Sequence, residues 1–307
     1  MSTSDGYLNP DQDRPLVSIV IPLYNHESHI IKCLDSLLYQ ECKNIEVLII
    51  DDGSTDNSYI FASQWVDANK DKFERVSIST QKNSGLPKTM NNLIKSAHGD
   101  FILPIASDDY LLPDSINKRI SFLLLNTRYD VVIGDCIIID QEGKLISLSG
   151  MFEFINRPKA TFKYDNVMRR ELLLNWWVPG PSTLYRKSWF SSNHDNFYDE
   201  KLHYEDLDMY LRLLSQNKVG FLDSVMSAYR FGSNNASSAN WSRNTLNNGM
   251  IASYQKNRNL FSGFDGIIVN LTVCSLKYSK YTLLGFTSRI IRHLMYLIHR
   301  LHVTNIR

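Results

Sequence analysis

The sequence predicts an α/β fold on a doubly wound, mainly parallel sheet flanked by helices, with a helical C-terminal tail. Three observations predict it. Leu16 to Leu23 and Ile45 to Ile50 are nearly continuous apolar, β-branched runs, the pattern of strands covered on both faces. Helical periodicity alternates with such runs from the start, as right-handed βαβ connections require. The runs stop in acidic or polar turns, and ligands of open α/β sheets gather beyond the carboxyl ends of their strands.

The first run, Leu16 to Leu23, leads into Ser28 to Tyr39, where Ile30, Ile31, Leu34, Leu37 and Leu38 make one apolar helix face. The second, Ile45 to Ile50, ends at Asp51-Asp52-Gly53-Ser54, and Asp56 is placed to cap a helix carrying Ile60, Phe61 and Trp65. A third strand over Arg75 to Thr80, a helix over Lys88 to Ala97 and a fourth strand over Phe101 to Ile105 follow, stopping at Ala106-Ser107-Asp108-Asp109. Pro113 to Leu125 reads as a helix, and Val131 to Ile139 with Leu145 to Leu148 reads as a hairpin about Gln141-Glu142-Gly143-Lys144. Met151 to Trp177 carries mixed signals and receives no assignment. A helix resumes at Glu205, with Leu207, Tyr210, Leu211 and Leu214 on one side. The organisation expected is a polar extension over 1–14, a catalytic domain over 15–240, divided at 110 into nucleotide-binding and acceptor-side halves, and a helical extension over 241–307.

With 33 basic against 32 acidic side chains and a formal net charge of +1, the 307-residue chain has no general attraction to nucleic acid, which is excluded as a partner. The four cysteines, Cys33, Cys42, Cys136 and Cys274, show no zinc spacing and read as free thiols of a reducing compartment. The polar start, Met1 to Arg14, lacks the apolar run of a secretory signal, which places the protein in the cytoplasm and leaves the sequons at Asn235 and Asn240 unmodified.

Asp108 and Asp109, adjacent after a buried strand, are hard oxygen ligands of the kind that hold Mg²⁺ or Mn²⁺ while a substrate diphosphate completes the octahedron. The competing reading is a turn and helix cap, and the strand end favours the ligand reading. For Asp51 and Asp52 two readings stand: a hydrogen bond to a base imide, or an Asp-Gly turn with a cap. Tyr24, beside Pro22 and Asn25 at the first strand end, either stacks on a base or packs. Asn83 and Gly85 with Lys88 and Asn91 bring amides and a cation toward a diphosphate, though Lys88 also fits a solvated helix face. Glu205 and Asp206 either complement a helix dipole or supply a general base.

Taken in order, these stretches resemble the family two glycosyltransferases, whose domain is the GT-A fold. The residues carrying the resemblance are Val17-Ser18-Ile19-Val20-Ile21-Pro22-Leu23-Tyr24-Asn25, Asp51 to Asp56, Asn83-x-Gly85 with Asn91, and Ala97-x-Gly99-Asp100 leading to Ser107-Asp108-Asp109. Later come Glu205-Asp206-x-Asp208-x-x-x-Arg212 and Tyr229-Arg230. The resemblance implies an inverting, single-displacement transfer from a nucleotide-sugar, a UDP-sugar, to a glycan or lipid-linked acceptor of the bacterial surface-polysaccharide type. It implies a donor site of Pro22, Tyr24, Asn25, Asp51, Asp52, Asn83, Gly85, Lys88, Asn91 and Asp108, with Tyr24 and Asp51 on the base. Asp109 with Asp108 then ligates Mn²⁺ or Mg²⁺, Asp206 with Glu205 supplies the base, and Trp176 and Trp177 stand on the acceptor side. Two positions depart from the family: Met90 stands where arginine is common, and Phe231-Gly232-Ser233 follows Tyr229-Arg230 where relatives place a histidine.

In the tail, Ile290, Ile291, Leu294, Leu297 and Ile298 form an apolar face beside Arg289, Arg292 and Arg300, as in helices that lie on an anionic membrane; docking on the catalytic domain is the other reading. Two further function classes compete with glycosyl transfer: a nucleotidyltransferase, and a sugar-binding or scaffold protein without turnover.

Overall fold

The structure, a computed structural model, describes residues 15–192, 197–232 and 243–278. The expected polar extension over 1–14, both sequons and the basic amphipathic stretch over 279–307 lie outside the described residues. The first half alternates strand and helix: β1 (Val17–Leu23), α1 (Ile30–Leu38), β2 (Ile45–Asp51), α2 (Ser58–Asn69), β3 (Arg75–Thr80), α3 (Leu86–Ser96), β4 (Phe101–Pro104), β5 (Tyr110–Leu111) and α4 (Ser115–Leu125). The second half holds β6 (Val131–Ile139), β7 (Leu145–Ser147), α5 (Asp165–Leu174), β8 (Thr183–Arg186), α6 (Lys187–Ser192), α7 (Glu205–Ser215), β9 (Val219–Arg230), α8 (Arg243–Asn257) and α9 (Gly263–Lys277).

One sheet runs in the order β3-β2-β1-β4-β8-β6-β9-β5, with β7 pairing β6. β3, β2, β1 and β4 are parallel, as their apolar runs predict. Beyond β4 the sheet is mixed: β8 is antiparallel to β4 and β6, whereas β6 and β9 are parallel. The hairpin expected after Ile139 forms, with Ile139 opposite Leu145.

Alternation along β1 assigns its side chains to two cores. Val17, Ile19, Ile21 and Leu23 pack with Ile30, Leu34 and Leu37 of α1, Trp65 of α2 and Ile116 of α4. Val20 faces the opposite layer with Leu93 of α3, Leu172 of α5 and Leu207 of α7. That second core also takes in Tyr254 of α8 and Ile268 and Val269 of α9. The described part of the expected 241–307 extension is therefore built into the catalytic body, and the Tyr254 hydroxyl donates to the Leu173 carbonyl at 3.0 Å. The apolar residues of α8 follow no single face, so its burial left little periodic trace in the sequence. No helix among the described residues is long and apolar enough to cross a membrane.

Candidate active site

Parallel register sets Leu23 beside Asp51, so β1 and β2 end together and their loops share one crevice. Asn25 adopts φ +50°; its N–H donates to Ser54 Oγ at 2.9 Å, and its Oδ1 accepts from Thr55 N–H at 2.8 Å. The side chain thus fastens the first loop to the second, and Tyr24 stays 45% exposed beside it. Asp51 Oδ2 accepts from Ser54 N–H and the Thr80 hydroxyl, while Oδ1 is buried with no partner among the described residues. A buried acceptor without a donor is costly, and a ligand N–H would satisfy it.

Asp52 is spent differently. Its Oδ1 accepts from Gln81 Nε2 and Ser84 N–H, each at 2.8 Å, and its Oδ2 from Gly85 N–H at 2.9 Å. It folds the 83–85 loop rather than offering a free carboxylate. Gly53, at φ +75°, lets that loop close in: a Cβ there would stand 3.0 Å from Asn83 N. Asn83 lies exposed on the loop, and Gly85 opens α3.

At the end of β4, Asp109 Oδ1 accepts from Arg230 N–H at 2.7 Å, and Arg230 Nε donates to the Asp108 carbonyl at 2.9 Å. Arg230 Nη1 also donates to the carbonyls of Asp140 and Gln141. This buried arginine therefore ties the acidic pair to the hairpin turn. Sequence patterning singled out the Tyr229-Arg230 pair without giving it that role, because its partners are backbone carbonyls distant in the chain. Burial, followed by the charge of Asp108, pushes the Asp109 carboxyl well above its usual range. The Asp108 carboxylate makes no hydrogen bond among the described residues and is the more available ligand. His26 Nδ1 lies 2.7 Å from Ser107 Oγ, and burial, then Arg230, holds His29 below its usual value. Among the described residues, no three His, Cys, Asp or Glu side chains form a ready cage. Two adjacent hard oxygens suit a cation that completes its shell from a diphosphate and water.

The third group stands on α7. Glu205 and Asp206 are half-buried; burial and then the charge of Asp206 push Glu205 up to about 8, and burial pushes Asp206 up to about 6. One turn along, Tyr210 accepts the Tyr185 hydroxyl proton at 2.6 Å and packs against Trp176, ring centroids 4.9 Å apart. Trp177 meets Tyr229 edge-on at 5.7 Å. The neighbouring tryptophans thus span from the Asp206 helix to the residue preceding Arg230, whose N–H holds Asp109. Both are half-buried. Arg157, fully buried against Glu171, donates to the carbonyls of Asn175 and Trp177 and fixes their loop. Nothing in the local sequence marks Arg157 for this task.

Asn91 is fully buried. Its amide donates to the Tyr198 carbonyl and to Glu200 Oε1, and its Oδ1 accepts from Tyr198 N–H at 3.0 Å. It anchors residues 198–200 instead of facing solvent. Lys88, half-exposed, lies 3.4 Å from Glu200. Pro22 is half-buried within β1.

Residues 18–197, more than half of the chain, match Glycosyl transferase family 2. The chain belongs to that family. Its fold is the GT-A fold. Chondroitin synthase of Escherichia coli is 35% identical over 147 residues, 48% of this chain and 21% of the relative. Chondroitin synthase of Pasteurella multocida (strain Pm70) is 27% identical over 251 residues, 82% of this chain and 24% of the relative. The chain spans less than two thirds of the length of these curated relatives. Among solved structures, S. aureus TarS in complex with UDP-GlcNAc aligns with a TM-score of 0.63 at 20% identity, covering 89% of this chain and 79% of that one. Mannosyltransferase PcManGT from Pyrobaculum calidifontis, in complex with GDP-Man and Mn²⁺, aligns with a TM-score of 0.61 at 13% identity, covering 95% and 84%.

Proposed function

We propose that this glycosyltransferase moves a sugar from a UDP-sugar to a hydroxyl of a glycan or lipid-linked acceptor, inverting the anomeric carbon in a single displacement. One observation supports the reading: Trp176 packs on Tyr210 of the Asp206 helix, and its neighbour Trp177 packs on Tyr229, which precedes the residue whose N–H holds Asp109; we assign the acceptor to the side that these two tryptophans occupy. Structural neighbours that hold UDP-GlcNAc or GDP-Man with Mn²⁺ support it.

Tyr24 covers the base, and Asp51 Oδ1 accepts its imide N–H. Asn25 and Asp52 keep those loops in place, and Asn83, Gly85 and Lys88 face the diphosphate. Asp108, with Asp109 behind it, would hold Mn²⁺ or Mg²⁺, and such a cation, when bound, would supply positive charge beside the departing diphosphate. Asp206 takes the acceptor's hydroxyl proton as that oxygen attacks the anomeric carbon, while the bond from that carbon to the diphosphate oxygen breaks and the nucleoside diphosphate leaves. Glu205 keeps its proton near neutrality, which separates the roles of two neighbouring carboxyls.

Thermal shift against a panel of nucleotide sugars with Mn²⁺, followed by UDP release, tests this reading. Selective stabilisation by UDP-sugars is expected, with metal-dependent UDP release that needs a higher Mn²⁺ concentration in Asp108→Asn. Binding without any metal-dependent release, for any sugar or acceptor, would instead identify a sugar-binding module.

A further inference from the structure

Residues 197–200 join the proposed donor side to the proposed base side, and each of the four is pinned. Arg212 Nη2 donates to the Phe197 carbonyl at 2.5 Å. Tyr198 is held at both its N–H and its carbonyl by Asn91 of α3. Asp199 Oδ2 accepts from Lys256 Nζ at 2.9 Å, and Glu200 receives Asn91 Nδ2 and Lys88. Two of the pins belong to α7 and α8. Lys256 Nζ lies 2.9 Å from Asp208 Oδ1 as well as from Asp199, and Asp208, fully buried, also meets Arg212 at 3.4 Å and Asn257 Nδ2 at 2.7 Å. The ammonium of Lys256 holds the Asp199 carboxyl below its usual range. On the preceding turn of α8, Ser253 donates to the carbonyl of Tyr204, the residue that opens α7.

This arrangement gives Asp208 and Arg212 of the Glu205-Asp206-x-Asp208-x-x-x-Arg212 motif a task that the chemistry of transfer does not use. We infer that 197–200 is a strap that sets the spacing between the donor-holding end of α3 and the base-bearing first turn of α7, with Lys256, Asp199, Asp208 and Arg212 as its positioning residues. The inference rests on the proposed site assignment. A one-ångström error between an attacking oxygen's base and the anomeric carbon costs rate, because the reacting groups must already lie in near-attack geometry. Lys256 is the residue to remove, since its side chain is 44% exposed and its loss leaves Asp208 paired with Arg212 and Asn257.

The test compares wild type, Lys256→Met, Asp199→Asn and the double variant, by steady-state UDP release and by amide hydrogen exchange without ligand. The strap predicts that each single variant lowers kcat by roughly tenfold or more with donor KM changed by less than about threefold, and that the double variant is no worse than the poorer single one. Exchange is expected to quicken together at 86–94 in α3 and at 205–211 in α7. Wild-type kcat in Lys256→Met, additive losses in the double variant, or quickened exchange confined to α8 would each overturn it. If wild type turns over no nucleotide sugar, the site assignment fails by itself, and exchange alone decides the strap: joint quickening supports it and separate behaviour removes it.

Discussion

The loops after β1 and β2 and the first turn of α7 both present carboxylates, yet they treat them in opposite ways. In the loops the buried acidic oxygens are largely spent: Asp52 accepts three hydrogen bonds through both oxygens and Asp51 two through Oδ2, while Asp51 Oδ1 has no partner among the described residues. On α7 two neighbouring carboxyls share an apolar and tyrosine-lined setting, and burial raises both. A satisfied carboxylate shapes a binding surface. A desolvated, poorly satisfied one keeps a high proton affinity, which a base needs.

The sharpest way to break this contrast is to remove the proton acceptor. Asp206→Asn is expected to lower kcat by about 10²–10⁴-fold with the melting temperature unchanged or raised, whereas Glu205→Gln, which imitates a protonated acid, should cost less than about tenfold. Equal losses in UDP-release assays would dissolve the distinction between the two carboxyls.

At the end of β4 the same contrast recurs within one pair. Asp108→Asn should raise the Mn²⁺ concentration needed for half-maximal rate by roughly 10–100-fold. Asp109→Asn, whose Oδ1 still accepts from Arg230 N–H and whose charge burial already opposes, should change metal affinity less and leave the melting temperature unchanged or raised. A metal titration that ranks Asp109 above Asp108 would reverse these roles.

The pH profile is a milder probe. Transfer requires Asp206 ionised, so kcat/KM should rise as pH passes about 6, and it should fall as Glu205 loses its proton near about 8. These are values of the pair and appear as two apparent steps. The sign for stability is opposite to that of a salt-bridged carboxylate: both folded values lie above the ordinary 3.8 and 4.5, so ionisation opposes folding. Their contribution is full at low pH and is lost as pH rises toward about 8, and the step should vanish from the melting curves of the Glu205→Gln, Asp206→Asn double variant.

The smallest effect is expected from Asp52→Ala, which should destabilise by about 1–3 kcal/mol and raise donor KM while sparing kcat. A large fall in kcat with unchanged melting would make Asp52 a direct ligand.

The donor half was legible because each of its parts is local. Asp51, Asp52 and Gly53 follow directly on an apolar run, and Asp108 and Asp109 close another, so a short window contains both the strand and its chemistry. Asn91 was legible as a motif residue but not in its use, since its partners Tyr198 and Glu200 lie more than a hundred residues away. Arg230 and Arg157 act on backbone carbonyls, which carry no side-chain signature. The stretch from Met151 to Trp177 escaped assignment because a wide helical turn at Gly150–Phe154 and a tight turn at Lys159–Phe162 are too short to display a period, and α5 ends in four consecutive buried residues, Glu171 to Leu174, which follow no single face.

By itself the sequence determined the parallel α/β half, its polar strand ends and the family to which they belong, because hydrophobic periodicity and turn chemistry act over a few residues. Only the tertiary structure decided which carboxylates are spent on loops and which stand desolvated, that Trp176 and Trp177 join the Asp206 helix to the acidic strand end, and that α8 belongs to the catalytic body. Those outcomes depend on burial and on partners far apart in the chain, and both exist only once the sheet has brought its two halves together.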